Sequence, residues 1–251
     1  DLAVYFGNTS NQSTLLHKYA KYVWQTPELS DWTSIATDIG NSCTNADHGT
    51  REGLFGSDLF MGQPQLHPAH RMSSFILLVF RWLTYQKIIQ FGLHANYDYF
   101  VLTRADELYL CRHADFTRLK ALCEGCAWVQ RTENYGGWSD RHWVAPTNTF
   151  LRLINMTQAI ICHPAPYKSR NLESLLGIYV KAVKIQVKPF DQTFFTVRTA
   201  TDTTRWSQGA KQSDMDVLGL KVKYLNEYKA AKATCGISNV GKHVLQKMAK
   251  A

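Results

Sequence analysis

The sequence has no uninterrupted apolar run of the length a membrane span needs, about 18 residues; the longest candidate, Phe75 to Phe80, breaks at Arg81. Charged residues make up only 19% of the chain against 45% hydrophobic, which excludes a disordered or coiled-coil protein. No segment is low in complexity, no internal repeat is visible, and no arginine-rich arm or solidly basic helix face marks a nucleic-acid binder. The first residues from Asp1 lack the charged and apolar regions of a secretory leader. Six cysteines, at 43, 111, 123, 126, 162 and 235, are too sparse for a disulfide scaffold. Cys123-Glu-Gly-Cys126 has no second pair or histidines at ligand spacing for zinc, and sits mid-chain rather than where a redox motif belongs; ordinary cysteines are expected.

What remains is a chain of 251 residues, long enough for a substantial core. Its 28 Lys and Arg outnumber 20 Asp and Glu, a net charge of +8 that favours an anionic partner such as nucleic acid, an anionic surface or a phosphorylated small molecule. Asn8, Asn11 and Asn155 head N-x-S/T sequons, a pattern common by chance.

Hydrophobic periodicity orders the elements. Ala3 to Phe6 reads as a strand, and Gly7-Asn8-Thr9 as the loop after it. Ser13 is a candidate helix cap ahead of Leu15, Leu16, Tyr19 and Val23 at helical spacing. Asp38 to His70 reads as a long loop region, and Met72 to Phe91 as a helix stopped by Gly92. Strands are expected at Tyr97 to Leu102, Ala127 to Gln130, Ile185 to Val187 and Thr193 to Val197, and the apolar pattern resumes at Leu108 to Leu110. Helices are expected from Thr147 to Ile161, from Asn171 to Lys184 and from Val217 to Ala233, the last stopped by Gly236. This order predicts an α/β sandwich with a mixed, mostly parallel sheet. The main domain is expected over residues 1–215, with a helix and basic tail over 216–251 packed on it or extending from it.

Three constellations carry chemistry. Arg104-Ala-Asp106-Glu107 follows a buried strand, where open α/β sheets place ligands; a carboxylate there suits a hard cation and an arginine suits phosphate. The ordinary alternative is a strand end with solvated charges. Glu133 to Trp143 contains Gly136-Gly137, which allows a sharp turn or a close backbone approach, and then Asp140, Arg141 and His142 offer a base, a cation and a titratable donor. Its alternative is a turn with a salt-bridged Asp–Arg pair. Thr196-Val-Arg198, with Thr203-Thr-Arg205-Trp206, places Arg and Trp after a late strand; they would close over phosphate or sugar, or form a surface stack.

Tyr97 to Tyr109 resembles the "YD-(apolar)-R-x-D" strand of small GT-A-type glycosyltransferases. Gly136 to Arg141 resembles their "GG-x-(N/S)-D-R" loop, and Asn171 to Leu176 their "N-x-E-x-L-L" helix start. Thr196 to Arg198 with Thr204 to Trp206 resembles their closing segment, and Arg71-Met72 an arginine often found before the long helix. Over residues 1–210 the chain is similar to the glycosyltransferases that large algal viruses use to decorate their capsid protein. The resemblance implies a GT-A-like, Rossmann-like α/β/α fold. It implies transfer of a sugar from a nucleotide-sugar, UDP-linked by expectation, to a hydroxyl of a glycan or glycoprotein. Asp106 would be the metal ligand, for Mn²⁺ or Mg²⁺. Gly7, Asn8, Thr9, Arg71, Arg104, Asp106, Gly136, Gly137, Arg141, Arg205 and Trp206 would bind the donor. Asp140 would act as base, with Glu173 second, and His142 would orient the acceptor or contact the diphosphate. The chain departs from a full DxD motif at Arg104. The expected setting is cytoplasmic, in a host cell if viral, with no nucleic-acid partner. A catalytically silent transferase-fold protein and a nucleic-acid binder are the competing readings.

Overall fold

A computed structural model describes residues 3–7, 20–26, 33–43, 73–163, 171–199, 216–217 and 220–237. Asn8, Thr9, Arg71, Arg205 and Trp206, the helix expected after Ser13, the sequons at Asn8 and Asn11 and the basic tail after 237 lie outside these residues. The chain divides into two compact units, Asp1–Asn96 with Leu151–Asn171, and Tyr97–Phe150 with Leu172–Ala251. Both mix helix and strand, as the sequence predicts.

In the first unit β1 (Ala3–Gly7) pairs in parallel with β2 (Tyr22–Thr26), Val4 opposite Val23. Val23 thus lies on a strand, not at the end of the expected helix: Tyr-Val-Trp-Gln-Thr is a β-branched and aromatic run that suits a pleated surface. Helix α1 (Thr33–Asn41) occupies the start of the expected loop and buries Ala36 and Ile39. Helix α2 (Ser73–Gln90) buries Phe75, Leu78, Val79 and Ile88, and Gly92 follows it at φ +62°. The expected helix from Thr147 to Ile161 is two helices, α4 (Thr147–Ile154) and α5 (Met156–Cys162), separated at Asn155. Thr157 is fully buried and donates to the Leu78 carbonyl at 2.6 Å, so the hydroxyl of the Asn155 sequon is committed to the core.

The second unit holds two four-stranded sheets. One runs β3 (Tyr99–Leu102), β6 (Trp143–Pro146), β5 (Ala127–Gln130) and β7 (Val187–Phe190). Only its β5–β7 pair is parallel. The other runs β4 (Glu107–Tyr109), β8 (Phe194–Thr199), β10 (Leu220–Val222) and β9 (Asp216–Val217), all antiparallel. The sheets are therefore mixed, but among the described residues antiparallel pairing predominates over the expected parallel pairing. The cause is β6, where the sequence marks no strand, which returns antiparallel to both its neighbours, and β10, which lies in the stretch from Val217 read as helix. Leu220-Lys221-Val222 has the period of two that a half-buried strand needs.

Among its described residues the unit also has helices α3 (Phe116–Leu122), which the periodicity did not mark, α6 (Leu172–Ala182) and α7 (Leu225–Cys235). Asp115 caps α3 by accepting from the Thr117 amide at 2.8 Å. Helix α7 lies on β8, where Tyr228 and Ala231 join Leu110, Phe195, Val197 and Val222 in one core cluster. A second cluster joins Leu119, Cys126, Trp128, Val144, Phe190 and Phe194. All six cysteines are paired, as Cys43–Cys162, Cys111–Cys235 and Cys123–Cys126. The sequence did not point to these bridges: two join thiols 119 and 124 positions apart, which spacing does not reveal, and the third closes the Cys123–Cys126 pair that was read as ordinary cysteines. No helix among the described residues is long and apolar enough to cross a membrane.

Candidate functional site

The second unit gathers a charged cluster where β3 gives way to β4. Arg104 donates two parallel hydrogen bonds to Asp106, Nε to Oδ1 and Nη2 to Oδ2, each at 2.8 Å. Lys223, at the end of β10, brings its Nζ to 3.9 Å from Asp106 Oδ2. Burial pushes the Asp106 carboxyl up, but the Arg104 bonds and the charges of Arg104 and Lys223 outweigh it and hold the group below its ordinary value. The Arg104–Asp106 pair is about one-third exposed, so this is the part of the cluster that solvent reaches.

Behind it the charges are buried. Arg141, 3% exposed, forms an ion pair with Glu227 of α7, whose side chain is fully enclosed. Glu227 also accepts from Gln130 Nε2 at 3.0 Å and from the Thr196 amide at 2.8 Å. Three donors on one carboxylate are what a buried charge requires. The Arg141 guanidinium lies 4.2 Å from the centre of the Tyr224 ring, and its Nε is 4.0 Å from Asp140. Burial pulls the Arg141 pKa down, yet Glu227 and Asp140 more than compensate, so it keeps its charge.

A neutral polar chain continues on the other side of Glu107. The His113 Nδ1 lies 2.8 Å from the Ala114 carbonyl, which only accepts, so Nδ1 carries the proton and Nε2 is the acceptor. His142 Nε2 is 2.9 Å from that acceptor and must donate to it. This leaves His142 Nδ1 as a lone pair facing Thr103 Oγ1 at 3.1 Å, and Tyr109 Oη and Glu107 Oε2 at 3.3 Å. Thr103 donates to Glu107 Oε2 at 2.6 Å. The His142 side chain has no exposure, and burial drives its pKa down to about 3, so the ring is neutral. Burial, with Asp106 adding to it against Thr103 and the arginines, pushes the Glu107 carboxyl up to about 8. Its second oxygen, Oε1, is buried without a hydrogen-bond partner.

The glycine pair serves the fold. Gly136 takes φ +87°, next to Tyr135 at +39°, in a turn closed by the Gly137 amide on the Asn134 carbonyl at 2.7 Å. A Cβ on Gly137 would lie 1.8 Å from the Glu173 carbonyl oxygen, so the close approach is to the start of α6. Glu173 takes its place there through that carbonyl, which accepts from the Trp138 amide at 3.1 Å.

Of the residues singled out from sequence, Arg104, Asp106, Asp140 and Arg141 share the charged cluster. Arg104 carries the Coulomb influence of both Asp106 and Asp140. His142 joins the neutral chain beside it, inside the protein. Gly136, Gly137 and Glu173 form a separate supporting contact, and Gly7 ends β1 in the first unit. Sequence reading missed Thr103, Tyr109, His113, Gln130, Lys223, Tyr224 and Glu227 as site residues. Glu227 is 86 positions from Arg141 and 97 from Gln130, and no local motif signals such pairs.

A metal role for Asp106 meets a poor donor set. Both its oxygens are spent on Arg104, and no group of three His, Cys, Asp or Glu among the described residues stands ready to hold an ion. Asp106 fits the part of an anchor for Arg104. No family model, curated protein or solved structure matches the chain.

Proposed function

We propose that the second unit binds the diphosphate of a nucleotide-sugar and transfers its sugar to a hydroxyl of a glycan or glycoprotein. The observation that carries this reading is Arg104 and Lys223 converging on Asp106, where the Arg104–Asp106 pair is one-third exposed and Lys223 is 12% exposed, ahead of the fully buried Arg141–Glu227 pair. Two cations anchored on one carboxylate are suited to an incoming dianion, and Arg104, held by Asp106 through Nε and Nη2, keeps its Nη1 side for phosphate oxygens. Departure of a nucleoside diphosphate develops negative charge, which fixed cations in a partly enclosed site stabilise. The resemblance of the Tyr97–Tyr109 and Gly136–Arg141 segments to GT-A-type glycosyltransferases points the same way. The GT-A-like α/β/α arrangement belongs to this proposal. No step is assigned to a metal, because Asp106 is engaged by Arg104.

The complete pairing of six cysteines favours an oxidising compartment as the working environment, in place of the cytoplasm.

Thermal unfolding in the presence of nucleoside diphosphates, with and without Mn²⁺, tests the proposal. A ligand that binds only the native state at 100 times its Kd adds about 2.7 kcal/mol of stability. One diphosphate is expected to raise the Tm without Mn²⁺, and Arg104→Ala or Lys223→Ala to lower its affinity. No shift with any nucleotide sinks the reading. A shift that requires Mn²⁺ and vanishes in Asp106→Ala returns Asp106 to the role of metal ligand.

A further inference from the structure

The neutral chain beside the charged cluster has a direction. Tyr109 is 40% exposed and Thr103 is exposed, whereas the Glu107 side chain is completely enclosed. Tyr109 Oη lies 3.1 Å from Thr103 Oγ1, and Thr103 Oγ1 lies 2.6 Å from Glu107 Oε2. A tyrosine that is partly exposed, with its hydroxyl turned inward, is thus joined through a second hydroxyl to an enclosed carboxyl, every link at hydrogen-bond length. We propose that this chain is a proton relay, in which Tyr109 takes the proton of an acceptor hydroxyl and Glu107, acting through Thr103, is its final base. The proposal rests on the transferase reading above and identifies a base different from Asp140 and Glu173.

The step balances without a charged intermediate on Tyr109. The acceptor O–H proton passes to Tyr109 Oη while the Tyr109 proton passes to Thr103 Oγ1 and the Thr103 proton to Glu107 Oε2. The electron pair left on the acceptor oxygen forms the new bond to the anomeric carbon. The bond from that carbon to the diphosphate oxygen breaks, and its pair leaves with the nucleoside diphosphate. Attack from the face opposite the departing diphosphate makes this single displacement an inverting one.

The surroundings explain why Glu107 accepts and keeps the proton. His142 Nδ1, fixed as a lone pair by His113 and the Ala114 carbonyl, faces Glu107 Oε2 at 3.3 Å. It opposes the carboxylate and receives a hydrogen bond from the acid. The other groups that act on Glu107 are Asp106 and Arg104 ahead of its own strand, Tyr109 within it, Arg141 before β6 and Glu227 from α7. The two carboxylates favour its proton, and the two guanidiniums oppose it. The Tyr109 phenol, pushed up to about 12 by burial, remains protonated and serves as a conduit.

The test separates relay from donor binding. Wild type, Tyr109→Phe, Glu107→Gln, Thr103→Val and Thr103→Ser are compared by Tm shift with the nucleoside diphosphate found to bind. Release of that diphosphate from its sugar ester is then followed, with a mixture of monosaccharides as acceptor. All variants are expected to bind diphosphate. Thr103→Val, Tyr109→Phe and Glu107→Gln are expected to lose about 100-fold or more in release rate, the usual share of acid–base catalysis. Thr103→Ser, which restores the hydroxyl, is expected to recover most of it. Diphosphate binding with full activity in Thr103→Val overturns the relay and leaves the donor site standing. Binding without release even in wild type also overturns the relay. Absence of diphosphate binding overturns both.

Discussion

Removing Glu227 isolates the largest electrostatic commitment in the second unit. In Glu227→Leu the volume is nearly conserved, but the Arg141 guanidinium, 3% exposed, loses the carboxylate that compensates it. The Thr196 amide and Gln130 Nε2 lose the same acceptor. A buried ion pair broken from one side typically costs about 3–5 kcal/mol, because the surviving charge has neither partner nor water. That is a large part of the roughly 5–15 kcal/mol that holds a domain together. With a urea m-value of about 2–3 kcal/mol/M, the midpoint of unfolding should fall by roughly 1–2 M. The double variant Arg141→Met, Glu227→Leu removes both charges and leaves two orphaned donors, costing about 1–3 kcal/mol each at most. It is expected to be more stable than Glu227→Leu alone. Urea unfolding followed by tryptophan fluorescence reads all three proteins. A loss under about 1 kcal/mol in the single variant, or a double variant no more stable than Glu227→Leu, refutes the buried-pair reasoning.

Other outcomes follow from the same geometry. Gly137→Ala should destabilise by at least the roughly 1–3 kcal/mol of an overpacked core, since its Cβ would sit 1.8 Å from the Glu173 carbonyl oxygen; wild-type stability in that variant would place the loop elsewhere. Stability should fall on acidification from pH 6.5 toward 3, because His142 titrates at about 3 in the folded chain and near 6.5 when unfolded; His142→Gln should flatten that part of the curve. Glu107 acts with the opposite sign: its folded pKa is raised from 4.5 to about 8, so the stability it contributes is complete below 4.5 and is lost as pH rises toward 8, a slope that Glu107→Gln should remove. Denatured but unreduced protein should show no reactive thiol, and six after reduction, by thiol titration; any free thiol before reduction contradicts the pairing.

The strand at Tyr99–Leu102, the helix at Ser73–Gln90 and the glycine stops at Gly92 and Gly236 were legible because each depends on neighbours in sequence. The Asp–Arg pair at 140 and 141 and the Arg104–Asp106 pair were legible for the same reason. Elements at Trp143–Pro146 and Leu220–Val222 were not, since four- and three-residue strands carry little periodicity and take their conformation from partners. His142 was visible as a titratable residue, but its tautomer depends on His113 and the Ala114 carbonyl, 29 positions away.

By itself the sequence determined the mixing of helix and strand, the placement of the helices at Ser73–Gln90 and Leu172–Ala182 and the presence of adjacent opposite charges, all of which are set by local periodicity and chain stiffness. Tertiary structure decided the antiparallel pairing, the three disulfides, the burial of Glu227 against Arg141 and the alignment of Tyr109, Thr103 and Glu107. Those features arise when residues distant along the chain are excluded from water together. There a charge must find its opposite and a hydroxyl its acceptor, and only the packed chain determines which ones they meet.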